Sequence, residues 1–200
     1  MSLPKTPKTW AKHCLQQNTT FHISTDRSFL NLDAINAAFA LDCLYWAKPF
    51  PKEILRDIIE HSFCFGLYKT EYSPGPIATN APPSPPDSDS DSDSEGGSAH
   101  QDAACEQIGY ARLITDWYTY AYLTDVYVLP EYRNYGLGGW ILDCVDELIR
   151  PLPYLRWFTL LTECEKSVAA YKERFGMGIF DNNDVNRGGV CMFRKGRANA

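Results

Sequence analysis

The stretch Ala121–Arg150, AYLTDVYVLPEYRNYGLGGWILDCVDELIR, constrains the chain more than any other. Its first part predicts a buried strand. Leu123, Val126 and Val128 are apolar, Tyr122 and Tyr127 are aromatic, and Pro130 ends the run. Its last part predicts a helix, because Leu137, Ile141, Leu142, Val145, Leu148 and Ile149 recur at helical spacing and Pro151 stops the pattern. Between them lies Arg133-Asn134-Tyr135-Gly136-Leu137-Gly138-Gly139. The first N–H groups of a helix have no internal partner, and the helix dipole places partial positive charge on them. An anion such as a phosphate can settle there. Gly136 and Gly138 remove the Cβ atoms that would block close approach, and Arg133 adds a fixed positive charge. The plainer alternative is an ordinary strand–turn–helix connection in which the glycines only relax the backbone. No Gly-Lys-Ser/Thr follows, and the G-x-G-x-x-G spacing is absent, so neither a Walker loop nor a dinucleotide fingerprint is present.

The rest of the chain bounds the class. Hydrophobic content of 44% and aromatic content of 14% in 200 residues suit one globular domain with a sizeable core. The net charge is −6, but Asp87, Asp89, Asp91, Asp93 and Glu95 alone carry five negatives. The nearly neutral remainder gives no reason to expect nucleic-acid binding. No apolar run reaches membrane-spanning length, and MSLPKTPKTW lacks a signal-peptide core. The seven cysteines include no C-x-x-C pair and mostly sit in apolar runs, which predicts small buried hydrophobes in a reducing compartment. With four scattered histidines no metal site is expected. A cytoplasmic protein is the expectation, with the nucleus as an alternative address.

Residues 1–20 read as a flexible N-terminal arm. Phe21–Ser24 predicts a short strand, Leu32–Phe39 a helix, the stretch from Pro51 a second helix, and Phe63–Tyr68 a strand. Residues 73–104 hold PGP, PPSPP and a Ser-Asp repeat with few large apolar residues, so they predict a disordered acidic loop. Gln107–Thr115 alternates as a strand, Arg156–Thr162 is another, and Ser167 looks like the N-cap of a helix that Gly176 stops. Gly178–Phe180 and Val190–Arg194 suggest a last strand pair.

Two of these runs carry a resemblance. Arg133-x-x-Gly136-x-Gly138 after an apolar strand resembles the acyl-CoA motif of the GNAT superfamily of N-acetyltransferases. Tyr171-Lys172-Glu173-Arg174-Phe175-Gly176-Met177 resembles the run that closes the GNAT core. Ser24-Thr25-Asp26, Tyr45-Trp46-Ala47-Lys48 and Cys64-Phe65-Gly66-Leu67-Tyr68 are similar to a subgroup of uncharacterised acetyltransferases. The resemblance implies an α/β (α+β) GNAT fold: a mixed, mostly antiparallel sheet with helices on both faces, over residues 21–197, interrupted at 73–104.

It also implies acetyl-CoA as co-substrate and an amine as acceptor. Val126, Tyr127 and Val128 would line the pantetheine arm. Residues 133–139 (Arg133, Asn134, Tyr135, Gly136, Leu137, Gly138 and Gly139) would hold the pyrophosphate. Tyr171 would protonate the departing thiolate, although at its helical spacing with Val168 and Phe175 it could equally be a core aromatic. Asp125 and Glu163 are candidates for a base, and Asp125 could equally be structural. Tyr45, Trp46, Trp117, Tyr118 and Tyr120 are candidate walls of the acceptor pocket, with ordinary packing the alternative for each. A homodimer is compatible with the family. Two other functions stay open: a sensor that holds CoA without turnover, and an interaction protein working through its acidic loop.

Overall fold

The structure, a computed structural model, describes residues 6–14, 19–71, 105–162 and 165–179. The chain divides into a unit up to Leu161 and a second from Thr162. The first unit is built on a six-stranded sheet whose strands lie side by side in chain order. They are β1 (Thr9–Cys14), β2 (Thr19–Ser24), β3 (Phe63–Glu71), β4 (Cys105–Thr115), β5 (Tyr120–Val128) and β6 (Trp157–Leu160). The first four pairings are antiparallel and β5 with β6 is parallel. A parallel neighbour needs a crossover, and the crossover here is a helix.

Three helices cover the two faces. α1 (Leu32–Phe39) and α2 (Lys52–Glu60) lie between β2 and β3, and α3 (Leu137–Ile149) joins β5 to β6. Asn31 caps α1, its side chain accepting from the N–H groups of Asp33 and Ala34. Ile35, Phe39, Leu55 and Ile59 from the first two helices form one cluster with Cys64, Tyr110 and Tyr127 of the sheet. Val128 points the other way, toward Gly138 of α3, since neighbouring strand residues alternate faces. Leu137, Ile141 and Val145 of α3 are fully buried on that second face. The sheet is therefore sandwiched, as the sequence resemblance implies.

The N-terminal arm requires correction. Thr9–Cys14 is the edge strand β1, and Thr19 and Thr20 belong to β2. Trp10 anchors it: the indole stacks on Phe65 at 6.2 Å and its Nε1–H donates to Glu147 of α3 at 2.8 Å. Lys8 also pairs with Glu147. One large side chain in six residues gives almost no periodicity, so the strand becomes visible only with its partner in place. The cysteine expectation holds in part. Cys64 and Cys144 are buried, and burial pushes their thiols up to about 11 and about 12, but Cys43 and Cys105 are exposed.

The second unit contains α4 (Glu165–Phe175). Ser167 lies inside this helix and not at its cap. Gly176 ends it with a φ of 67°, its N–H bonded to the Lys172 carbonyl, as a left-handed C′ glycine does. The predicted acidic loop at 73–104 lies outside the described residues, as does the last strand pair except for Gly178 and Ile179, which are not in a strand. Among the described residues, no helix is long and apolar enough to cross a membrane.

Candidate active site

The site is assembled where β5 ends and α3 begins. Near its middle, β5 is irregular. Tyr110 faces Tyr127 and Arg112 faces Thr124, so Asp125 and Val126 together oppose the single residue Ala111. This is a β-bulge, which leaves a residue outside the ladder and bends the strand. Asp125 sits in it at a φ of 54°, a left-handed conformation that glycine normally supplies at such positions. Its carboxylate is engaged on both oxygens: Oδ2 accepts from Arg112 Nε at 2.6 Å and Oδ1 accepts from the Thr124 hydroxyl at 3.2 Å.

Of the three residues expected along the pantetheine arm, Val126 is half-buried. Tyr127 and Val128 are buried, Tyr127 in the core beside Phe39 and Tyr110. Burial also raises the Tyr127 phenol well above its ordinary range. The Tyr127 side chain is thus a core group, and the strand can offer a ligand only its backbone there.

Past Val128 the chain makes a 3-10 turn, Pro130–Tyr135, before α3. Gly136 links the two helical segments at a φ of 68°. It caps α3 with no side chain, and the first turn of α3 contains no acid. The fold gives no packing reason for glycine at either motif position. A Cβ on Gly136 would meet nothing within 4 Å, and one on Gly138 would meet only Val128 Cγ2 at 3.9 Å. Arg133 folds back on the protein: Nε donates to the Val128 carbonyl at 3.1 Å, and a terminal nitrogen lies 3.2 Å from Cys43 Sγ. It ties the turn to β5 and to the α1–α2 connection. Asn134 and Gly136 are exposed, Leu137 is fully buried, and Tyr135 packs on Phe21 at 5.7 Å.

The five aromatics expected to wall one pocket do not come together. Tyr45 and Trp46 are exposed, packed edge to face at 5.1 Å in the α1–α2 connection. The same connection reaches Arg133 through Cys43. Trp117 and Tyr118 precede β5 and Tyr120 opens it, about 25 Å of strand from Val128 at a rise of about 3.3 Å per residue. Trp117 is buried against Phe63, with ring centroids 4.6 Å apart. Beside the site itself lies a cleft of about 640 Å³ between α1, the start of β4 and the end of β5, walled by Ala34, Ala37, Leu41, Gln107, Leu129 and Pro130.

In the second unit, the half-buried Tyr171 stacks on Phe175 at 6.1 Å. Glu163 lies outside the described residues. Among the described residues no group of three metal-ligating side chains occurs. The sequence reading missed Arg112 and Ser62. Arg112 could have been found: a charge inside the apolar alternation of Gln107–Thr115, on the core side, needs a partner.

The parallel β5–α3–β6 crossover, the bulged strand and the uncapped, glycine-bearing helix start are the arrangement that the acyl-CoA resemblance implies. The comparisons make the class definite. Residues 99–176 match the acetyltransferase (GNAT) domain family. A Gibberella zeae protein named "putative acetyltransferase" is 37% identical over 144 residues, 70% of each chain. A Xanthomonas campestris protein described as a "putative acetyltransferase belonging to the gnat family" is 28% identical, with a TM-score of 0.57 over 88% of this chain and 92% of its own. A Streptococcus pneumoniae GNAT family protein shares the fold at 19% identity, with a TM-score of 0.51 over 90% of this chain and 98% of its own. The chain belongs to the GNAT superfamily and is a GNAT-type acetyltransferase. Membership implies acetyl-CoA as co-substrate.

Proposed function

We propose that this acetyltransferase moves the acetyl group of acetyl-CoA directly to a primary amine of a small molecule. The observation that carries the reading is the start of α3. Its N–H groups have no side-chain cap, its first turn holds no acid, and its two motif glycines are not demanded by packing. Such a surface suits the pyrophosphate of CoA. The bulge at Asp125 and Val126 lies just before the end of β5, where a backbone N–H released from the ladder would polarise the thioester carbonyl.

The amine nitrogen attacks the carbonyl carbon, the carbon–sulfur bond breaks, and the thiolate takes a proton from Tyr171. An ordinary phenol near pKa 10 is matched to a thiol leaving group. The amine releases its proton to solvent, and solvent returns a proton to the Tyr171 phenolate. We give Asp125 no role as base, because its carboxylate is already committed to Arg112 and Thr124. The nearby cleft, lined by Ala34, Ala37, Leu41 and Leu129 together with the acids Glu106 and Glu131, suits a small amine acceptor.

Two measurements test this. Acetyl-CoA at a hundred times its Kd should add about 2.7 kcal/mol, a rise in Tm of several degrees. Gly138→Glu places an acid where the helix dipole favours it, so the apo Tm should hold while the ligand shift disappears. An unchanged shift in Gly138→Glu, or none in wild type, would overturn the assignment of the site. With an amine found by screening for free thiol release, Tyr171→Phe should lower the transfer rate about 100-fold or more with acetyl-CoA affinity unchanged. An unchanged rate would remove Tyr171 from the mechanism.

A further inference from the structure

The bulge in β5 is held open from across the sheet. Asp125 adopts its left-handed φ of 54° without being glycine. Its carboxylate accepts from Arg112 Nε at 2.6 Å, and both side chains are mostly buried, with 16% and 18% exposure. Arg112 is itself anchored. Its NH1 group donates to Ser62 Oγ at 3.2 Å, and the Ser62 hydroxyl donates to the Ile58 carbonyl of α2 at 2.7 Å. A chain of hydrogen bonds thus runs from the last turn of α2, through Ser62 and Arg112, to the bulged residue. The planar guanidinium can serve Asp125 and Ser62 at once, in directions fixed by its own geometry.

We propose that Arg112 is a positioning residue for acyl transfer: it clamps Asp125 in the left-handed conformation, and so fixes the bulged backbone that meets the acyl carbonyl. This rests on the reading of the β5 bulge given under Proposed function. The argument is conformational. A left-handed aspartate relaxes toward ordinary strand geometry unless the surroundings over-determine it. Relaxation would draw the bulge back into the ladder and turn its N–H away from the ligand. A glycine in place of Asp125 would need no clamp, because it occupies this region freely.

The test needs no acceptor. Acetyl-CoA has the thioester carbonyl and CoA does not, so the two ligands separate the bulge from the rest of the site. Affinities are measured by calorimetry for wild type, Arg112→Ala, Asp125→Gly and the double variant. In Arg112→Ala, the Kd for acetyl-CoA should rise roughly five- to tenfold, the worth of one hydrogen bond, with the Kd for CoA unchanged. In the Asp125→Gly background, Arg112→Ala should change neither. Equal weakening of both ligands, or the same acetyl-CoA penalty in the Asp125→Gly background, would show Arg112 to be a general structural prop and overturn the proposal. Should Arg112→Ala fail to fold, Ser62→Ala removes only the anchor and should weaken acetyl-CoA selectively by a smaller factor; no selective loss there counts against the clamp. Wild type that binds neither ligand would overturn the site assignment itself, a result distinct from loss of the clamp alone.

Discussion

The two ends of β5 both need a residue at positive φ, and they provide for it in opposite ways. Before the strand, Trp117 has a φ of 62°; beyond it, Gly136 has a φ of 68°. At the hairpin end the chain satisfies itself. Asp116 Oδ1 accepts from the N–H groups of Tyr118, Thr119 and Tyr120, and Oδ2 accepts from the Thr119 hydroxyl. Thr115 closes the turn from the other side, accepting from Trp117 N–H and donating to the Tyr120 carbonyl. A bulky residue in this conformation is held by its burial against Phe63. At the helix end glycine avoids the strain, and no side chain caps the start of α3. One end is finished by the protein; the other has no side-chain cap and, under the proposed function, is finished by the ligand. Self-satisfied turns serve stability, and incompletely satisfied ones are where a ligand can be exchanged for water.

If that contrast is right, damage at the two ends should separate stability from binding. The largest effect belongs to Trp117→Ala. Removing a buried indole should destabilise by about 3–5 kcal/mol and lower Tm by roughly 10 °C in a chain of this size. The Kd for acetyl-CoA, measured well below the new Tm, should stay within about twofold of wild type. A large loss of affinity would mean that the hairpin end communicates with the site and would break the comparison. Gly136→Ala comes next. An alanine in the left-handed region costs about 1–2 kcal/mol, and no clash adds to it because a Cβ there meets nothing within 4 Å. Thermal melts should show a drop of a few degrees. A neutral result would mean that the junction has moved out of its left-handed conformation.

The same contrast explains what the sequence made legible. The strand–glycine–helix run at 121–150 was readable because local signals agree: apolar alternation, a proline stop, glycines and a helical stripe. α1 spans Leu32–Phe39 in both readings for the same reason. The family followed from two motifs whose spacing survives any error in strand limits. What was not legible depended on register. A bulge is a mismatch between two strands, so nothing in β5 alone marks Asp125 and Val126 as facing one residue. Tyr127 and Trp117 look alike as exposed-or-buried candidates until α1 and Phe63 are placed against them. Arg133 reads as a phosphate ligand from charge alone, whereas its nitrogens reach Val128 and Cys43 in the fold.

The smallest effect sharpens the comparison through pH. The Thr119 hydroxyl first, and then the three backbone N–H groups, hold the Asp116 carboxyl well below its ordinary value of 3.8. In the unfolded chain these donors are gone, so the unfolded state binds this proton more readily than the folded one. The latch therefore contributes its full stability above pH about 4 and loses it as pH falls toward the lower folded value. Asp116→Asn keeps an oxygen for the backbone but replaces the anion with an amide. The Tm difference between wild type and Asp116→Asn should be constant from neutrality down to about pH 5 and shrink as the solution becomes strongly acid. Because Asp116 is fully exposed, the difference should also be modest and fall with added salt. The helix end has no counterpart to this titration, since no acid lies in the first turn of α3. A gap that widens in acid would mean that the anion destabilises the turn, and that the hairpin is held by Trp117 alone.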